Sequence, residues 1–274
     1  MATIPYVLVD AFTSEPFAGN PAAVCLLTEP LPRETLQAIA SEFNLSETAF
    51  VRAIDDGFEL RWFTPKDEIA LCGHATLATA YALQRTFGAA LPNYRFQTLS
   101  GELTCAPEGD FLELNFPATP PTEAPVDPAL IAGLGIKNYS HYARSIFDLM
   151  VVLPREEDVT TLAPDYTALA SIDTRGIIVT AAASQPDLDF VSRFFAPAHG
   201  INEDPVTGSA HCCLGPYWAD QLCKQTLHAR QCSSRGGELR VTVKDDRVAL
   251  LGAATLIAEG TLYIRSEEHT SELQ

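Results

Sequence analysis

The chain has 274 residues, 47% of them apolar and 19% charged, with 18 Lys and Arg against 35 Asp and Glu for a formal net charge of −17. That length suits one large domain or two of about 130 residues, the composition excludes a disordered or fibrous chain, and the charge argues against nucleic acid or anionic membrane surfaces as partners. No apolar run approaches the roughly 18 residues of a membrane span, the N-terminus lacks a basic, small-residue leader, and the seven cysteines form neither a CxxC pair nor a zinc-finger spacing, so a cytoplasmic protein with reduced thiols and no metal is expected.

In chain order, strand signals at 6–11 and 22–27 are followed by an amphipathic helix at 33–43, with Leu36, Ile39, Ala40 and Phe43 on one face. Further strands read at 48–52 and 59–63. The stretch GHATLATAYALQRT, 73–86, is small and apolar nearly all round. A helix without a polar face is a buried one, so strands must surround it. Strands at 94–98, 103–106 and 111–116 close the first half, 1–118, and the proline-rich PATPPTEAPVDP, 117–128, reads as a linker.

The second half, 127–264, repeats the plan. Strands at 147–153, 176–181 and 189–195 lead to a second buried helix at 208–221, GSAHCCLGPYWADQ, and strands follow at 239–243, 247–251 and 255–262. The string RWFTP at 61–65 returns as RFFAP at 193–197, and each proline opens a polar loop that ends on a glycine, Gly73 or Gly208, at the start of a buried helix. This is an internal repeat. It predicts two strand-wrapped helices facing each other across a cleft. The last ten residues, RSEEHTSELQ, have no period and resemble a translated sequencing adapter, and no packed role is expected of them.

A helix that begins at a glycine exposes unpaired N–H groups at the positive end of its dipole, which makes each start an anion site. Two facing starts suit a small carboxylate. Reactive side chains cluster there: Cys72 and His74 at the first, Asp204, Thr207, Ser209 and His211 at the second. In NLSETAFV, 44–51, Glu47 opens an apolar run. If it faces the cleft, desolvation suits it to take and return a proton. Each of these residues also has a plain reading, as a helix cap, a packed histidine or a loop end.

The combination of DAFTSEPFAGNPAAV (10–24), NLSETAFV, LCGHATLATA (71–80), RFFAP and EDPVTGSAH resembles the PhzF-like family of phenazine-biosynthesis isomerases, in order over about residues 5–263. The resemblance implies an α+β, diaminopimelate epimerase-like fold of two pseudo-symmetric domains, each a curled, mostly antiparallel sheet around a central helix, and a homodimer. It implies a cofactor-independent isomerase with Glu47 as acid and base. His74, Asp204 and Ser209 would hold the substrate, and Gly73 and Gly208 would offer N–H groups to its carboxylate. Cys72 matches the first cysteine of two-thiol racemases, the second being replaced, on this alignment, by Asp204. Inversion by two thiols is therefore not expected, since it needs a base on each face of the carbon. Two other readings stay open: a non-catalytic dimer that binds a small carboxylate, and a Cys72 nucleophile with His74 as base.

Overall fold

A computed structural model describes residues 2–264; the expectation for the last ten residues lies outside that range. The first half runs β1 (Ala2–Ala11), β2 (Asn20–Leu27), α1 (Arg33–Phe43), β3 (Glu47–Ile54), β4 (Gly57–Phe63), β5 (Glu68–Ile69), α2 (Gly73–Arg85), β6 (Tyr94–Thr98), β7 (Gly101–Glu108) and β8 (Phe111–Pro117). The second runs β9 (Thr122–Glu123), α3 (Pro128–Leu134), β10 (His141–Arg144), β11 (Asp148–Val152), α4 (Glu156–Thr160), α5 (Tyr166–Leu169), β12 (Gly176–Ala182), β13 (Phe190–Ala196), a 3-10 turn (Pro197–His199), β14 (Ile201–Asp204), α6 (Gly208–Leu222), β15 (Thr226–Gln231), β16 (Gly237–Lys244), β17 (Arg247–Gly252) and β18 (Ala254–Ile264).

The strand ladders make the repeat explicit. Parallel β2 and β3 align Ala22 with Glu47, as parallel β11 and β12 align Asp148 with Gly176. Antiparallel β3 and β4 align Thr48 with Phe63, as β12 and β13 align Ile177 with Phe195. Beyond them β4 runs parallel to β6, and β13 to β15. The two units are sewn together twice: β8 pairs with β17, Leu114 opposite Leu250, and β18 of the second unit pairs with β1 of the first.

Apolar burial explains the layers. Ten residues of α2 are buried, from Gly73 through Ala80 plus Ala82 and Leu83, and the side chains around α2 and α6 join one apolar cluster that includes Trp62, Phe96, Leu114, Phe190 and Leu250. Burial of this kind stabilises by about 25 cal/mol per Å² of apolar surface. Separate clusters lie under α1, with Leu36, Ile39, Phe50 and Phe63, and under α3 to α5, with Leu130, Leu169 and Phe195. Each half of the continuous sheet therefore has a central helix on one face, with α1 or α3 to α5 on the other.

The proline-rich stretch read as a linker is held in place. Pro216 stands inside α6 and has no N–H for the carbonyl four residues back. That carbonyl, of Cys212, accepts from the Thr119 N–H at 3.0 Å instead.

Candidate active site

The echo strings prove to be clamps. Arg61 on β4 binds Glu68 of β5 with both nitrogens, at 2.7 and 2.9 Å, and Arg193 on β13 binds Glu203 of β14 at the same 2.7 and 2.9 Å. Such forked pairs fix geometry as well as charge. Each clamped glutamate stands five residues before the glycine that opens a central helix, so Glu68–Gly73 and Glu203–Gly208 superimpose without a gap. This corrects the alignment drawn from sequence: the partner of Cys72 in the repeat is Thr207, each the residue just before its helix, and Asp204 matches Ile69.

The two helix starts abut. A Cβ built on Gly73 would stand 3.3 Å from Gly208 Cα, and one built on Gly208 would stand 3.4 Å from Gly73 Cα, so a side chain at either position would crowd the other mouth. Neither Cys72 nor Thr207 caps its helix with its side chain, which leaves the first N–H groups free of a side-chain acceptor.

Glu47 begins β3 and is buried with its Oε2 3.1 Å from His74 Nε2, on the first turn of α2. The two atoms are close but not aligned as a hydrogen bond, and neither has another partner among the described residues. On the other edge of the ring, His74 Nδ1 lies 3.1 Å from Asn20 Nδ2 and 3.6 Å from Cys72 Sγ. Fully buried Asn20 also donates to Asp204 Oδ1 at 2.8 Å and to the Val206 carbonyl at 2.9 Å, which ties the first half to the second. Asp204, at the end of β14, accepts from the Thr207 hydroxyl, and Gln231 braces the turn by accepting from Thr207 N–H and donating to the Asp204 carbonyl. A chain of polar groups thus runs Glu47, His74, Asn20, Asp204, Thr207, Gln231.

Ser209 is half-buried one residue past Gly208 and makes no hydrogen bond among the described residues. His211 points into the apolar interior: it bonds the Thr207 carbonyl at 2.8 Å and stacks on Phe190, and burial pulls its pKa down to about 4. It is a packed histidine that meets the polar chain at the Thr207 carbonyl.

Electrostatics follow from burial. Burial pushes the Asp204 carboxyl up to about 6, aided by Glu47 and opposed by His74, Thr207 and Asn20. His74 is held well above an ordinary imidazole: burial works against its charged form, and the Cys72 and Glu47 charges outweigh it. The Cys72 share exists only once that thiol ionises, and burial, then Glu47, pushes the thiol up to about 11. Cys72 and His74 do touch, but the thiol is kept protonated near neutral pH, which disfavours the nucleophile reading. Glu47, Cys72 and His74 can place one atom each within 4.8 Å of one another. Glu47 meets the imidazole at Nε2 and Cys72 meets it at Nδ1, so the two contacts fall on opposite ring nitrogens.

Sequence reasoning passed over Asn20, Gln231 and the two clamp glutamates. Asn20 had one local signal, the Gly19–Asn20–Pro21 turn: Gly19 adopts φ +63 and a Cβ there would strike the Ala11 carbonyl.

A family model described as phenazine biosynthesis-like protein matches residues 9–260. The chain is 47% identical over 266 residues, 96% of its length and all of the relative's, to a protein of Halalkalibacterium halodurans named an uncharacterised isomerase. It superimposes on the crystal structure of a PhzF-family protein from Enterococcus faecalis with a TM-score of 0.91 at 45% identity, covering 96% of this chain and 100% of that one. A probable proline racemase from Agrobacterium radiobacter shares the fold, with a TM-score of 0.64 at 10% identity over 98% and 94% of the two chains.

Proposed function

This chain belongs to the phenazine biosynthesis-like (PhzC/PhzF) family, and from that premise we propose that it is a cofactor-independent isomerase that moves a proton between carbons of a small cyclic or amino carboxylate, with Glu47 as acid and base. The observation that carries the reading is the buried Glu47–His74 pair beside two abutting helix starts: a base out of water next to donors for an anion. The substrate carboxylate would be held by N–H groups of the first turns at Gly73 and Gly208, with His74, Asp204 and Ser209 on its other polar groups.

One base sets the stereochemistry. The position matching Glu47 in the second half is Gly176, so the reading has the proton leave and return on the face that Glu47 covers, unlike a two-base racemase. Closure of residues 1–118 on 127–264 around the substrate would keep the transferred proton from bulk water. A cytoplasmic homodimer belongs to the same reading through the family likeness, and light scattering tests the dimer.

The experiment is solvent-deuterium exchange by NMR over a panel of cyclic and amino carboxylates, with thermal shift reporting binding separately. Exchange at one carbon by the wild type and not by Glu47→Gln supports the reading. Binding without exchange would replace the isomerase with a carboxylate-binding protein.

A further inference from the structure

Of the thirteen arginines within residues 2–264, nine pair with a carboxylate. Arg144 and Arg247 donate to oxygens of Asp173 and Asn115. Only Arg230 and Arg240 make neither an ion pair nor a side-chain hydrogen bond among the described residues, although the chain carries 35 acidic residues to meet them. Both line one cavity of about 510 Å³. That volume suits a small ligand.

The cavity is built on the β15–β16 ladder. Arg230 stands opposite Glu238, and Arg240 opposite His228, which makes the two free arginines diagonal neighbours on one face. Diagonal pairs of long side chains can converge on one ligand. The opposing carboxylates are Glu15 and Glu238, and Glu238 lies 3.4 Å from His228 Nε2. Leu239, Leu251 and Phe111 supply an apolar lining. The far wall is the segment from Phe12 to Ala18, pinned by Arg235, which binds Asp10 and the carbonyls of Ala18 and Gly19. None of Glu47, His74 and Asp204 lines the cavity, yet the wall segment runs directly into Asn20.

We propose that this cavity is a second ligand site, taking a small dianion, a dicarboxylate or a phosphate, between the Arg230 and Arg240 guanidinium groups. Guanidinium forks match carboxylate and phosphate oxygens in pairs. A singly charged ligand meets one guanidinium and leaves the other unpaired, whereas a dianion engages both, and the short-range gain must outweigh the long-range repulsion of a chain of charge −17. The site adjoins the polar chain at two places, through the 12–20 segment that leads to Asn20 and through Gln231, the neighbour of Arg230 on β15.

Calorimetric titration with succinate and with inorganic phosphate at low ionic strength tests this. Saturable binding of at least one probe is expected, and the stronger of the two identifies the ligand as a dicarboxylate or a phosphate. The double variant Arg230→Gln, Arg240→Gln is expected to weaken binding by about tenfold or more, with an unchanged melting temperature for the free protein because both side chains are exposed and unpaired. The loss in the double variant separates this site from the helix-start reading, whose Gly73 and Gly208 donors that variant leaves in place. Failure of both probes to saturate by about 10 mM, or wild-type affinity in the double variant, overturns the proposal.

Discussion

At the first helix mouth the chain sets Glu47, Cys72 and His74; at the second, the same frame positions hold Gly176, Thr207 and Ser209. The frame itself is duplicated down to the forked Arg61–Glu68 and Arg193–Glu203 clamps. Backbone geometry has kept its symmetry while side-chain chemistry has lost it. The mouths thus differ in chemistry: the first carries a carboxylate, a thiol and an imidazole, and the second two hydroxyls beside the buried Asp204 carboxylate.

The largest expected effect comes from removing the asymmetry at its source. Glu47→Gln keeps size and burial and should lower exchange by about 10³-fold or more if Glu47 is the general acid and base, with the fold retained by circular dichroism. Equal rates in variant and wild type would end the one-base account.

Next come the clamps. Arg193 is nearly buried and also donates to the carbonyls of Val159 and Leu162, whereas Arg61 is more open. Arg193→Ala should cost about 3 kcal/mol and Arg61→Ala about 1 kcal/mol or less, read from denaturant midpoints. Equal losses would show that the two clamps are not distinguished by burial. An attempt to restore symmetry should fail for steric reasons: a Cβ on Gly176 would overlap the Phe194 ring, so Gly176→Ala should destabilise by about 2 kcal/mol, and a glutamate there more.

The smallest effect concerns protonation. Asp204 has a raised folded pKa, so it binds its proton more tightly folded than unfolded, and its contribution to stability falls as pH rises from about 4 through about 6. His74, also raised, contributes stability below the ordinary imidazole value that is lost as pH climbs past its folded pKa. Asp204→Asn should flatten the dependence of melting temperature on pH between about 4 and 6 while leaving the higher-pH slope in place.

Much of the frame was legible from residues. The all-round apolar GHATLATAYALQ stretch predicts a wrapped helix, and α2 starts at Gly73 as read. RWFTP and RFFAP marked the repeat because aromatic residues on a strand beside a central helix must recur when the frame recurs. What escaped were short elements stabilised by partners far away in sequence. β5 and β14 are two and four residues long and exist through Arg61 and Arg193. β15, TLHARQ, hides a buried glutamine whose partners are Asp204 and Thr207. Asn20 likewise acquires its partners, Asp204 and Val206, from register between the halves, which the local Gly19–Asn20–Pro21 turn does not specify.

The pairing of β1 with β18 has a consequence for the order of folding. Among the described strands β1 is synthesised first, and one of its two neighbours, β18, last, with Thr3 opposite Tyr263. At the usual pace of about 5–20 residues per second, the leading strand waits many seconds with one edge open before its partner emerges. Closing that contact spans nearly the whole described chain, a non-local step of the kind that slows folding. During that wait the nascent chain exposes the edge most able to pair with a neighbour, so a newly made chain is at its most vulnerable just before its final strand arrives.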